Sequence, residues 1–182
     1  TGVQTCALPI FHRDKRDFQV YVLERGKKPL ALKPSPVDEV AIDRSSVNIA
    51  GTGSSQGVAV SLGNGASYKF ANGKFEGKRL DIPTMVDTLA MYMNLPVVNQ
   101  ANIEGYYDVS FEITQEDYRA MLIRAGSASG MQLPPQLMQM AQIASTPSLF
   151  DAIDGLGLKM DSRKVPLDVI VVEQVSKTPT EN

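Results

Sequence analysis

The sequence predicts an α+β fold with helices packed on a mostly antiparallel sheet. Three observations carry this expectation. Tyr107, Val109, Phe111 and Ile113 alternate with polar residues, the period-two pattern of a half-buried strand. Asn72-Gly73 separates two strand-like runs and tolerates the positive φ angles of a type I′ turn. Ile82, Met85, Val86, Leu89 and Met93 recur at helical spacing.

Taken in order, residues 18–23 are rich in β-branched and aromatic side chains and predict a strand ended by Gly26. Pro29, Pro34 and Pro36 make the next stretch extended or looped. Val58, Val60 and Leu62 alternate and predict a strand among glycine loops. The hairpin follows, with arms at residues 68–71 and 74–76. Asp81 then caps a helix with Pro83 in its first turn, and Asn94 ends it. Pro96-Val97-Val98 opens a short strand, and the Tyr107 strand follows a turn at Gly105.

Residues 114–145 read as a helical insertion. Thr114 caps its first helix, which runs through Arg124, with Asp117 as a capping acid. Leu137, Met138, Met140 and Ile143 mark a second, Met-rich helix whose apolar face is assigned to core. Thr146 caps a last helix, with Pro147 opening it, Leu149, Phe150, Ile153 and Leu156 as its apolar face, and Gly157 ending it. Two strands separated by a turn, at residues 158–163 and 167–172, complete a single domain spanning residues 11–175. Residues 176–182 read as a flexible tail. Residues 1–10 resemble the translation of a common short-read sequencing adapter and are set aside as an artefact. On that reading Cys6, the one cysteine, is foreign to the natural protein, and any signal peptide lies upstream of the chain.

The 182 residues are 43% apolar and 21% charged, an ordinary globular composition. No apolar run nears the ~20 residues that span a bilayer, so no transmembrane segment is expected. A net charge of −2 argues against nucleic acid as a partner. Arg13, Lys15 and Arg16 are interleaved with Asp14 and Asp17, which reads as a solvated charged face.

No residue is assigned a catalytic, cofactor-binding or metal-binding role. His12 is the one histidine and reads as a surface side chain. Without further His or Cys, zinc clusters and a Ser-His-Asp arrangement lack parts. The run from Gly73 to Arg79 is one spacer short of a phosphate loop, lacks the Ser/Thr for magnesium and lies in the predicted hairpin. The run from Gly51 to Gly57 has the wrong spacing for a dinucleotide turn. Asp108 and Glu112 share a strand face ~13 Å apart, too far for direct pairing in glycoside hydrolysis. Asp151 and Asp154 are placed near a helix N-terminus, where negative charge is favourable. Of Tyr106, Tyr107 and Tyr118, Tyr107 is assigned to the core face and Tyr106 is the better interface candidate.

Three segments carry a resemblance in combination. They are residues 18–26 with Leu32-Lys33-Pro34-Ser35; Met85 through Leu95-Pro96-Val97-Val98 to Gly105-Tyr106-Tyr107-Asp108; and Ser148-Leu149-Phe150-Asp151-Ala152 through Gly157-Leu158 and Ser162-Arg163-Lys164 to Glu181-Asn182. Residues 11–182 resemble a soil-associated bacterial family of uncharacterised secreted proteins with a domain of unknown function. They depart from it at Asn99 and Asn102-Ile103-Glu104, where the family often has Asp and Thr-Gly-Leu. The resemblance implies an extracytoplasmic protein, secreted, periplasmic or anchored to the envelope. Some relatives carry the domain beside an antirepressor-type membrane metallopeptidase. It implies no catalytic residues. Residues 75–175 also resemble, in order of elements, the small N-terminal domain of secretins and TonB-dependent receptors, a periplasmic interaction module.

These readings converge on an extracytoplasmic binding or protein-interaction domain, sensory or envelope-associated, needing no cofactor. Its partner would be another envelope protein or a small ligand, met by strand addition at an open sheet edge or on an apolar patch. The alternatives are a carboxylate-dependent, carbohydrate-active hydrolase, which needs two convergent carboxyl groups in a concave pocket, and a purely structural envelope protein, marked by stable self-association without ligand.

Overall fold

A computed structural model describes residues 10–35, 48–51, 57–128, 130–143 and 147–174. Residues 1–9, Thr146, the run at 52–56 and the tail lie outside the described residues. The elements in chain order are β1 (Ile10–Arg25), β2 (Lys33–Pro34), β3 (Asn48–Gly51), β4 (Val58–Ser61), β5 (Ser67–Ala71), β6 (Lys74–Leu80), α1 (Ile82–Ala90), β7 (Val97–Asn99), β8 (Tyr107–Glu112), α2 (Gln115–Ala128), α3 (Pro135–Ile143), α4 (Pro147–Gly155) and β9 (Leu158–Gln174). The fold is α+β, and its sheets are mostly antiparallel.

Two sheets form. Six strands in the order β2-β8-β6-β5-β4-β3 pair antiparallel throughout. Three strands in the order β7-β1-β9 make the second sheet, with β7 parallel to β1 and β9 antiparallel to it. Alternation builds the first sheet: Tyr68, Phe70, Phe75, Val109 and Phe111 are buried, while Lys69, Lys74, Glu76 and Ser110 are exposed. The hairpin forms as its turn chemistry requires, with Asn72 and Gly73 at φ of 52° and 77°.

Rings organise the core. Phe70 meets Tyr92, Phe75 and Tyr118 edge-on, at 5.2, 5.9 and 4.8 Å between centroids. Phe75 stacks on Phe111 at 4.8 Å. Burying one such ring contributes roughly 2–3 kcal/mol. α1 adds its apolar stripe, Ile82, Met85, Val86 and Leu89, all buried. Asp81 caps it, accepting from the Thr84 N–H at 2.8 Å. The helix ends earlier than the sequence predicts. Met91 is its C-cap, and the Tyr92 and Met93 N–H groups bond three residues back, to Leu89 and Ala90. That tighter turn still buries Met93.

Thr114 caps α2 as expected, its hydroxyl accepting from the Asp117 N–H at 3.2 Å. The Asp117 carboxylate takes another partner. It accepts from the N–H of Ser148 at 2.9 Å and from the Ser148 hydroxyl, which itself accepts from the Thr114 N–H at 3.0 Å. A buried carboxylate thus ties the first turn of α2 to the first turn of α4, where helix polarity favours its charge. Met121 of α2 and Leu149 and Ile153 of α4 are fully buried in the same core.

Two expectations are corrected. β9 is continuous from Leu158 to Gln174, with no turn between residues 163 and 167. Pro166 sits opposite Asp17 inside the ladder. On the β7 side the Tyr21 N–H donates to the Pro96 carbonyl and the Leu23 carbonyl accepts from the Gln100 N–H. Odd-numbered residues of β1 therefore point their backbone groups away from β9. Asp17 is one of them, so the missing N–H of Pro166 removes no bond between β1 and β9. The Met-rich face of α3 is not core either. Leu137, Met138 and Met140 are exposed, because α3 packs beside α2 at the surface.

Gly157 has φ of 78°, and its N–H bonds to the Asp154 carbonyl to close α4. A Cβ there would collide with the Pro29 carbonyl, whereas at Gly155 nothing lies within 4 Å. Gly157→Ala is expected to lower stability by about 2 kcal/mol, and Gly155→Ala to raise it by up to about 1 kcal/mol, both read by urea denaturation. In the same assay Asp117→Ala should cost about 2 kcal/mol. Combined with Ser148→Ala, it should give a double-mutant coupling of about 1 kcal/mol; additive losses would mean the tie between α2 and α4 carries no stability.

Candidate functional site

A cleft of about 910 Å³ lies on the polar face of the six-stranded sheet. Register assembles it: Ser61, Ser67 and Lys78 lie abreast, as do Lys69, Glu76 and Ser110, with Lys33 opposite Asp108 at one end. Its carboxylates are Glu76 and Asp108. Glu76 pairs with Lys74 at 2.7 Å, and that ammonium holds its carboxyl below the usual range. Asp108 accepts from the Arg79 N–H at 3.0 Å. A glycosidase needs one of its two carboxyls held protonated. Glu76 is shifted the other way, and Asp108 is engaged by the backbone.

Arg79 is the residue that the sequence reading missed. It sits at the register shift between Gly77 and Leu80, with φ of 52°. The other positive-φ residues besides glycine among the described residues are all asparagine. Such a backbone costs on the order of 1–3 kcal/mol and persists only where its surroundings hold it. Asp108 holds the N–H, the Asn64 carbonyl accepts from the guanidinium, and the Tyr106 ring lies 5.1 Å beneath it. No local signal in Gly77-Lys78-Arg79-Leu80 announces the bulge.

The other candidates scatter. Tyr106 packs under Arg79, Tyr107 donates its hydroxyl to the Glu104 carbonyl at 2.7 Å, and Tyr118 is buried with its hydroxyl on the Phe70 carbonyl. Glu112 lies opposite Lys74 at the hairpin. Asp151 is exposed in mid-helix. Asp154 is one residue from the end of α4, not near its start, and pairs with Lys28. Its place is therefore explained by that ion pair and not by the helix N-terminus. The Gly73–Arg79 run is hairpin backbone. Among the described residues no three His, Cys, Asp or Glu side chains gather as a metal site, and no helix is long and apolar enough to cross a membrane.

The most unusual surface is the ribbon formed by β1 and β9. Val20, Val22 and Leu23 are fully buried, yet Phe18 is 39% and Phe11 61% exposed. Residues 11–19 therefore leave the body, paired with residues 164–172. One face carries Phe18 and the half-buried Val165, Leu167, Val169 and Val171. The other carries Phe11, Ile170 at 66% and Val172 at 53% exposed. His12 lies on the first face, opposite Val171, its ring Nδ1 3.0 Å from Glu173, exposed as expected. Arg13, Lys15, Arg16 and Asp17 are exposed as well, a solvated charged stretch within a strand.

The two edges of the ribbon differ. Because β1 and β9 direct alternate backbone groups outward, Pro166 leaves a gap among the outward donors of β9. The outward groups of β1 belong to Phe11, Arg13, Lys15, Asp17 and Gln19, with no proline among them. β7 occupies this edge only from Tyr21 to Leu23. Among the described residues no strand pairs with it over 11–19. The Lys15 N–H is met instead by the Asp14 side chain at 2.8 Å, as befits a donor pointing away from β9. Arg16 and the Lys15 N–H together hold the Asp14 carboxyl below its ordinary range.

No curated protein and no solved structure matches this chain. A family model described as "Protein of unknown function (DUF3738)" matches residues 7–175. That stretch takes in both sheets, the four helices and the ribbon of the described residues, and it reaches into residues 7–10, which the sequence reading set aside. The chain belongs to this family of proteins of unknown function.

Proposed function

We propose that the protein is an interaction domain working outside the cytoplasm, and that it takes a partner's strand along the open edge of β1. One observation carries the reading: among the described residues no strand pairs with the outward edge of residues 11–19, where the Lys15 N–H is met only by its neighbour's carboxylate, on a ribbon that exposes Phe11, Phe18, Ile170 and Val172. A two-stranded ribbon is marginal in water, and a third strand supplies the bonds and apolar cover it lacks. The charged residues along this edge hinder indiscriminate pairing, so a partner must match them. Placement in the periplasm, at the envelope or in secretion rests on the resemblance to secreted bacterial proteins. A sensory task would use the same edge, coupling ligand to partner.

A photocrosslinking residue at position 13 of the full-length protein, expressed in cells of its native type, tests this reading. Adducts should form in the envelope fraction, exceed those from a control at position 136 on α3, and vanish with Lys15→Pro. That substitution removes an outward N–H and no bond to β9. Equal adducts at both positions, or adducts indifferent to Lys15→Pro, would remove the β1 edge as the docking site.

A further inference from the structure

We infer that the strand added to the β1 edge is that of a second copy of this chain, antiparallel and centred on Lys15. The inference rests on the strand-addition reading and names its partner.

Hydrogen-bond geometry restricts the register first. When two copies of one strand pair antiparallel, the numbers of facing residues have a constant sum. The outward residues of this edge are odd-numbered, so odd must face odd, and the sum must be even. Every allowed register is therefore centred on a residue, never between two.

Charge then selects among the allowed registers. Centred on Lys15, Arg13 faces Asp17 and Asp14 faces Arg16. The two-fold axis repeats each pair, giving four attractions. The one like pair is Lys15 with itself, on the axis, where flexible four-carbon stems let the two ammonium groups part. Centred on Asp14, two carboxylates meet and Arg13 faces Lys15 twice. Centred on Arg16, two guanidinium groups meet and only the Lys15–Asp17 contact is attractive. Centred on Arg13, two guanidinium groups meet and only His12 with Asp14 remains.

The fold accommodates the chosen register. Phe11 of the second copy lies against Gln19 and Ile10 against Val20, so the described part of the added strand lies short of Tyr21, where β7 takes the edge. The paired stretch spans roughly 27 Å at ~3.4 Å per residue. On pairing, the Lys15 N–H exchanges the Asp14 carboxylate for the Lys15 carbonyl of the second copy. Asp14 in turn exchanges its own Arg16 for that of the second copy. The product is a four-stranded sheet, β9-β1-β1-β9, with Pro166 near each outer edge. Each β1 edge is used once, so assembly ends at two.

Sedimentation of the chain, with circular dichroism and melting temperature as folding controls, decides the matter. The expected result is a dimer that weakens with added salt. Arg13→Asp and Asp17→Arg should each weaken it by about tenfold. An equimolar mixture of the two should restore it. In the heterodimer the carboxylate introduced at position 13 of one copy faces the guanidinium introduced at position 17 of the other, and the unaltered Asp17 and Arg13 still face each other. Lys15→Pro should leave a folded monomer. The inference is overturned by a monomer at about 100 µM, by single charge reversals without effect, by no recovery on mixing, or by open-ended polymers. A monomer that still gives Lys15-dependent adducts from position 13 overturns the second copy as partner and leaves the strand-addition reading standing. A monomer without such adducts ends both.

Discussion

The pairing of β1 with β9 is the constraint on which the rest of the molecule depends. It joins the first described strand to the last, with residue numbers summing to 183 from Phe11–Val172 to Arg25–Leu158. At its inner end it puts Val20, Val22, Leu23, Leu158 and Met160 at the base of the core. It also fixes where α4 must stop. Gly26 donates to the Gly157 carbonyl, so the ladder runs directly into the glycine that closes the helix. Because these contacts are distant in sequence, the chain must bear their closure entropy before they stabilise anything. The local hairpin and α1 are free of that penalty.

Legibility in the sequence follows the same division. The Asn72-Gly73 turn, the capped start of α1 and the alternating β8 are specified by neighbours, and they form as their residues predict. β1 was readable only from Phe18, because alternation records a difference between a wet face and a dry one. Residues 11–17 have no dry face, so their strand leaves no pattern. Pro166 reads locally as a break and is accommodated because the opposite residue, Asp17, points its backbone outward. The α3 methionines carry the composition of a core without its burial, a distinction that depends on which helix stands beside them. Arg79 depends on contacts with Asn64, Tyr106 and Asp108, none adjacent in sequence, and so could not be foreseen.

The contrast between cleft and ribbon shapes the functional reading. In the cleft, acids and bases answer one another: Glu76 is paired with Lys74, Asp108 is spent on the Arg79 backbone, and the one buried carboxylate in the described core, Asp117, is spent on joining helices. The ribbon pairs some of its charges too, His12 with Glu173 and Arg16 with Asp14, but differs in its backbone and apolar groups. Backbone donors on one edge look outward, apolar side chains stay wet, and the charges alternate in an order that an antiparallel copy can answer. Both carboxylates of the cleft are engaged, whereas the projecting ribbon leaves apolar side chains and an outward backbone edge to solvent.

The ladder also governs how the molecule bears load. Ile10 lies opposite Gln174, so the two ends of the described chain emerge side by side at the ribbon tip. The cross-strand bonds run perpendicular to the strands. Tension applied through both ends would open them one after another, like a zipper. Tension between one end and the body would load many bonds together in shear. The same domain is therefore a compliant link in one attachment and a stiff one in the other.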